Sequence, residues 1–76
     1  MHTVQINLNS IDKVKAFVHS VNTFNTEFDL VYGRFVIDAK SIMGIFSLDL
    51  SKPINLTIYN DDDAEIMESL KPFLVQ

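Results

Sequence analysis

The chain has 76 residues, 47% of them hydrophobic and 21% charged, with a net charge of −4. A chain of that size predicts a single domain over residues 1–76 that buries only ~60% of its unfolded surface, and the apolar content excludes a disordered segment. Six basic residues against ten acidic ones exclude nucleic acid as a partner, because neutralising phosphates takes clustered Lys and Arg.

There is no cysteine, which leaves no disulfide and no thiolate metal site, and agrees with a cytoplasmic location. No run approaches the ~20 apolar residues of a membrane span. Residues 1–8 carry neither a basic n-region nor an apolar run, so no signal peptide is expected.

Val4, Ile6 and Leu8 alternate with Gln5 and Asn7, the period of a half-buried strand. Asn9 or Ser10 offers an N-cap, and Asp12 falls in the first turn, where a carboxylate meets the positive helix end. Ile11, Val14, Val18 and Val21, with Phe17 beside them, recur at helical spacing and predict a first helix from Ser10 to Asn22. Lys15, His19 and Asn22 form its polar face. Phe28, Leu30 and Tyr32 alternate as a second strand, Gly33-Arg34 supplies a tight turn, and Phe35 to Asp38 returns as a third. Ser41 is placed to cap a short helix, Ile42 to Leu48, that is apolar nearly all round. A surface helix should show one apolar face, so some of these residues are either deeply buried or exposed for a purpose.

Ser51-Lys52-Pro53 breaks the chain before a fourth strand, in which Ile54, Leu56 and Ile58 alternate with Asn55, Thr57 and Tyr59. Asp61, Asp62 and Asp63 lead into a last helix with Ile66, Leu70 and Phe73 on one face. Pro72 should end or kink it. Acids at a helix start complement its dipole, and Asp62 with Glu65 has the spacing of a capping box. The acids do not form a calcium loop, which needs alternating ligands and a central Gly. The order β-α-β-β-α-β-α points to an α+β domain, an antiparallel sheet covered on one side by helices.

The segment Tyr32 to Leu48 resembles the histidine-containing phosphocarrier (HPr) family of the bacterial sugar phosphotransferase system. Ala39-Lys40-Ser41-Ile42-Met43-Gly44, followed by Ile45-Phe46-Ser47-Leu48, is similar to that family's regulatory-serine helix. Phe24, Leu30, Tyr32 and Thr57-Ile58 also fall where the family has similar residues. The resemblance implies an HPr-like open-faced β-sandwich with sheet order 1-4-2-3 and the helices on one face. It also implies that Ile45, Leu48 and Leu50 point inward, while Ile42, Met43, Phe46 and Ser47 form an exposed docking patch. Ser41 becomes a candidate for phosphorylation by an HPr-type serine kinase.

The amino-terminal part departs from the pattern. The family carries its phosphoryl group on a histidine in a His-Ala-Arg-Pro-like string at the start of the first helix, where free N–H groups and a positive dipole meet the phosphate. Counting back from Phe17 puts Ser10, Ile11, Asp12 and Lys13 at those places. The histidine is replaced by Ser10, and the arginine by the carboxylate of Asp12. The other histidines stand elsewhere: His2 ahead of the first strand, His19 near the middle of the first helix. Lys13 and Lys15 read as solvated surface.

The expectation is therefore a non-catalytic, non-enzymatic regulatory or adaptor protein, without cofactor or metal. Its partners would be proteins of phosphotransferase or catabolite-regulation type rather than nucleic acid or membrane. Two other readings stand beside it: a phosphocarrier with Ser10 or His19 as an atypical acceptor, and a structural or oligomerisation domain unrelated to sugar transport.

Overall fold

The computed structural model describes residues 2–60 and 64–75. Strands β1 (His2–Ile6), β2 (Phe28–Tyr32), β3 (Phe35–Asp38) and β4 (Ile54–Ile58) make one antiparallel sheet in the order β1-β4-β2-β3. Helices α1 (Ile11–Asn22), α2 (Ile42–Phe46) and α3 (Ala64–Leu70) complete the β-α-β-β-α-β-α order, and α3 runs into a 3-10 turn, Lys71–Phe73. The α+β class and the strand order are those expected.

Register explains which face is buried. Val4, Leu56, Leu30 and Ile37 lie side by side across the four strands, as do Gln5, Asn55, Val31 and Val36 in the next row. Side chains alternate along each strand, so the first row faces the helices and the second faces solvent. Leu30 and Leu56 are fully buried, together with Ile6, Phe28, Ile54 and Ile58. Val14, Phe17 and Val21 of α1, Ile45 of α2, and Ile66, Leu70 and Phe73 close the core from the other side. Phe17 and Phe73 meet edge to face with centroids 5.6 Å apart.

The β2–β3 connection is Gly33-Arg34. Gly33 has φ 58° and no other described residue has a positive φ, so only the first turn position is left-handed. That is the type II′ pattern, whose twist suits a hairpin and which demands glycine there.

Several expectations need correction. β1 ends at Ile6, not Leu8, because the chain then turns inward; Leu8 is fully buried outside the sheet. His2 does not precede β1 but lies in it, opposite Ile58, since pairing with β4 extends that far. Ile11 was expected on the buried stripe of α1 and is 63% exposed; the stripe begins at Val14, so the first turn lies beyond the core. α2 stops at Phe46. The N–H groups of Ser47 and Leu48 reach back only three residues, to the Gly44 and Ile45 carbonyls, which tightens the end as helices often do. Asp61, Asp62 and Asp63, and with them the Asp62–Glu65 pairing, lie outside the described residues. Pro72 sits in the 3-10 turn, and α3 ends at Leu70.

Candidate functional site

The start of α1 is closed by Ser10. Its backbone is extended (φ −148°, ψ 157°), its hydroxyl oxygen accepts from the Lys13 N–H at 3.1 Å, and its carbonyl accepts from the Val14 N–H at 3.1 Å. That geometry follows from sequence: a serine before an amphipathic run satisfies a donor that the helix cannot. Asp12 is exposed in the first turn. No imidazole stands here. His19 is exposed, nine residues further along the same helix, roughly 13 Å at 1.5 Å per residue. His2 is in the sheet.

The start of α2 repeats the device. Ser41 is extended (φ −94°, ψ 98°), and its hydroxyl oxygen accepts from the Gly44 N–H at 3.3 Å. Its own N–H donates to the Asp38 carbonyl at 3.0 Å. The set Ile42, Met43, Phe46 and Ser47 divides under this geometry. Met43 is 77% exposed and Phe46 41%. Ile42, expected with them, is half-buried against the core, because a helix of five residues turns one side of its first turn onto the sheet. Ser47 is exposed, and its hydroxyl donates to the Gly44 carbonyl. Ile45 is fully buried, and Leu48 and Leu50 pack against the core, as the resemblance implied.

Two residues of this region have roles that the sequence reading missed. A β-carbon at Gly44 would stand 2.7 Å from Ile37 Cγ2 and 3.2 Å from Ser41 Oγ, so glycine is what lets α2 lie close on β3. A glycine inside an otherwise apolar helix is the signal that could have found it. Lys40, next to Ser41 in sequence, sends its ammonium the other way. Nζ donates to the Phe24 carbonyl at 2.9 Å and lies 5.9 Å from the centroid of the Phe28 ring.

With this geometry in place, comparison with known proteins decides the ancestry. A family model described as "PTS HPr component phosphorylation site" matches residues 12–76. The chain belongs to the HPr family. Two solved structures agree with it over most of their length. HPr-C-His from Thermoanaerobacter tengcongensis is 27% identical with a TM-score of 0.75, over 92% of this chain and 86% of that one. The phosphocarrier protein HPr from Bacillus anthracis is 27% identical with a TM-score of 0.71, over 97% and 94%. The chain is thus a phosphocarrier-like protein related to the phosphotransferase system, a family of carriers that work with the system's other proteins rather than enzymes in the usual sense. The family match opens at Asp12, just past Ser10. Among the described residues no helix is long and apolar enough to cross a membrane.

Proposed function

We propose that this single-domain HPr-family chain acts in the cytoplasm as a non-catalytic docking and regulatory protein, not as a phosphohistidine carrier. The observation that carries the reading is Ser10, which caps α1 where the family's pattern calls for histidine. A phosphoserine ester lacks the labile P–N bond that makes onward transfer easy. Asp12, beside it, adds a negative charge that repels an incoming phosphoryl group. The working surface in this reading is α2, where Met43 and Phe46 offer a thioether and an aromatic ring to solvent, side chains suited to anchoring a protein partner. Ile42 contributes its half-exposed edge, Ser47 the polar rim, and Ser41 a hydroxyl open to a serine kinase of the HPr type. The partners are proteins of the phosphotransferase or catabolite-regulation machinery.

The test is phosphorylation. Incubation with phosphoenolpyruvate and the system's first enzyme should leave the protein unlabelled, and acid-labile label on His2 or His19 would overturn the reading. Its second half concerns the switch. Ser41→Asp should leave the fold intact, since a negative charge suits a helix start, and should weaken binding to an apolar or acidic partner, whose landing desolvates that charge. A partner with an Arg cluster would reverse the sign. Phe46→Ala should weaken either kind of partner. Unchanged affinity in both variants, measured by calorimetry against a partner recovered from the cell, removes α2 as the functional surface.

A further inference from the structure

Two edges bound the sheet, and they differ. Alongside β1 runs the tail beyond α3: the Asn7 N–H donates to the Phe73 carbonyl at 2.8 Å and the Val75 N–H to the Gln5 carbonyl at 3.0 Å, with Ile6 opposite Leu74. At the other edge, among the described residues, β3 has no strand beyond it. An open edge presents unpaired backbone donors and acceptors to any second strand, and proteins usually blunt it with Pro, Lys or a bulge. β3 reads Phe35-Val36-Ile37-Asp38 in unbroken register with β2 and carries no Pro, Lys or bulge; its shortness, four residues, and the charge of Asp38 are what blunt it.

Pairing phase decides which groups point outward. The partners across β2 and β3 are Tyr32–Phe35, Val31–Val36, Leu30–Ile37 and Asp29–Asp38. A two-residue turn closes on a hydrogen-bonded pair, here Tyr32–Phe35, and such pairs alternate along an antiparallel ladder. The Ala39 N–H, donating to the Phe28 carbonyl at 2.9 Å, is in the same phase. Phe35 and Ile37 therefore direct their backbone groups to β2, while Arg34, Val36 and Asp38 direct theirs away from the sheet. On this edge Phe35 is 60% and Val36 64% exposed.

We propose that a second copy of this chain pairs here, β3 against β3, antiparallel about a two-fold axis at Val36, giving one eight-stranded sheet. In that register the two Val36 residues form a hydrogen-bonded pair and exchange both N–H···O bonds. Arg34 of each copy faces Asp38 of the other, so the segment's two charges are neutralised twice by symmetry. The Asp38 carbonyl already accepts from Ser41, and its N–H is the group left for the second copy. Phe35 lands opposite Ile37, at the mouth of the groove lined by Tyr32, Phe35, Ile37 and Leu48. Charge also selects the register: recentring on Ile37 would set Arg34 against Lys40. A four-residue strand falls short of the ~800 Å² per partner of a standard complex, so the dimer is reversible and fills at high concentration.

Sedimentation velocity from micromolar to millimolar protein tests this. The unmodified chain should shift from monomer toward dimer, with the Val36 amide resonance moving most on dilution. Val36→Lys sets two like charges on the axis at an exposed position and should hold the protein monomeric throughout. Arg34→Asp and Asp38→Arg should each be monomeric alone and should associate when mixed, because each introduced charge then meets its opposite. Asp38→Arg also removes the acceptor of the Lys40 N–H; if that variant fails to fold, Val36→Lys and Arg34→Asp decide alone. A monomer at millimolar concentration, or a dimer undiminished in Val36→Lys and Arg34→Asp, overturns the proposal.

Discussion

Ser10 and Ser41 cap α1 and α2 in the same manner, each hydroxyl accepting from the N–H three residues on, at 3.1 and 3.3 Å. Beyond the caps the helices part. α1 has 12 residues, Asp12 in its first turn and three fully buried side chains, Val14, Phe17 and Val21. α2 has five residues, no acid in its first turn and a single buried side chain, Ile45. A helix that short gains little from its own hydrogen bonds, so α2 depends on what it lies against. The same cap thus begins one helix that builds the core and another that rests on it; α1 leaves only Ile11 of its large apolar side chains exposed, at its first turn, whereas the five-residue α2 exposes both Met43 and Phe46.

The largest effect should separate two phenylalanines. Phe17 is fully buried and stacked edge to face on Phe73; Phe17→Ala should cost ~3–5 kcal/mol, much of a small domain's ~5–15 kcal/mol total. Phe46 is partly exposed, and Phe46→Ala should stay within ~1 kcal/mol. Urea unfolding of both variants measures the gap. Equal losses would show that α2 is anchored as firmly as α1 and that Phe46 serves packing rather than docking.

A smaller effect concerns the contact that holds α2 down. Gly44→Ala gains up to ~1 kcal/mol in helix propensity, but the new methyl meets Ile37 Cγ2 at 2.7 Å, and overpacking of this kind costs ~1–3 kcal/mol. The expected net is destabilisation confined to α2. Amide hydrogen exchange reads it directly: Ile45 and Phe46 should lose protection while Val18 and Val21 keep theirs. A gain in stability would mean that α2 can rise from β3 at no cost.

The same contrast explains what was legible in the sequence. Alternation at Phe28, Leu30 and Tyr32 and at Ile54, Leu56 and Ile58 fixes a face, and each of those side chains except the half-buried Tyr32 is fully covered. Helical spacing likewise identifies Val14 and Val21, whereas Val18 of the same stripe is only half-buried and Phe17, read as lying beside it, is fully buried. Periodicity gives a direction around the axis but not where along it the core ends, which is why Ile11 reads as buried and is exposed. For α2 even the direction is lost, because five residues make less than two turns; Ile42 and Met43 look alike in sequence and separate only when the helix is laid on β3. The Ser41 cap was visible from residue type alone, and the cap of α1 was narrowed to Asn9 or Ser10, of which the structure uses Ser10. The Lys40 bond to the Phe24 carbonyl was not visible, since it depends on a loop distant in sequence, and Gly44's close approach to Ile37 showed only as a glycine inside an otherwise apolar helix.

The smallest effect tells the two helix exits apart by pH. α1 is closed by uncharged groups: the Thr23 hydroxyl donates to the Ser20 carbonyl at 2.7 Å and the Asn22 amide to the Val18 carbonyl at 2.9 Å. The turn after α2 is closed by a carboxylate, with Asp49 Oδ1 accepting from the Ser51 hydroxyl at 2.6 Å and from the Ser51 N–H at 3.1 Å. Those two bonds, the hydroxyl first, hold the Asp49 carboxyl below its ordinary 3.8, with a further contribution from the Lys52 charge. A depressed folded value means that the native turn prefers the ionised acid. Its stabilisation is present above 3.8 and is lost as pH falls through the folded midpoint. Asp49 is exposed to water, so the effect belongs to the turn rather than to global unfolding. Carboxyl-carbon NMR should show an Asp49 midpoint below 3.8 that moves up toward it in Ser51→Ala, where the strongest donor is gone and the weaker amide bond stays. Over the same acid range the Thr23 and Asn22 resonances should hold still. An Asp49 midpoint unmoved by Ser51→Ala would mean that the hydroxyl bond is not what lowers it and would leave the Ser51 amide and the Lys52 charge as the causes. A midpoint not below 3.8 in the unmodified chain would remove the acid sensitivity of this turn as a mark of difference from α1.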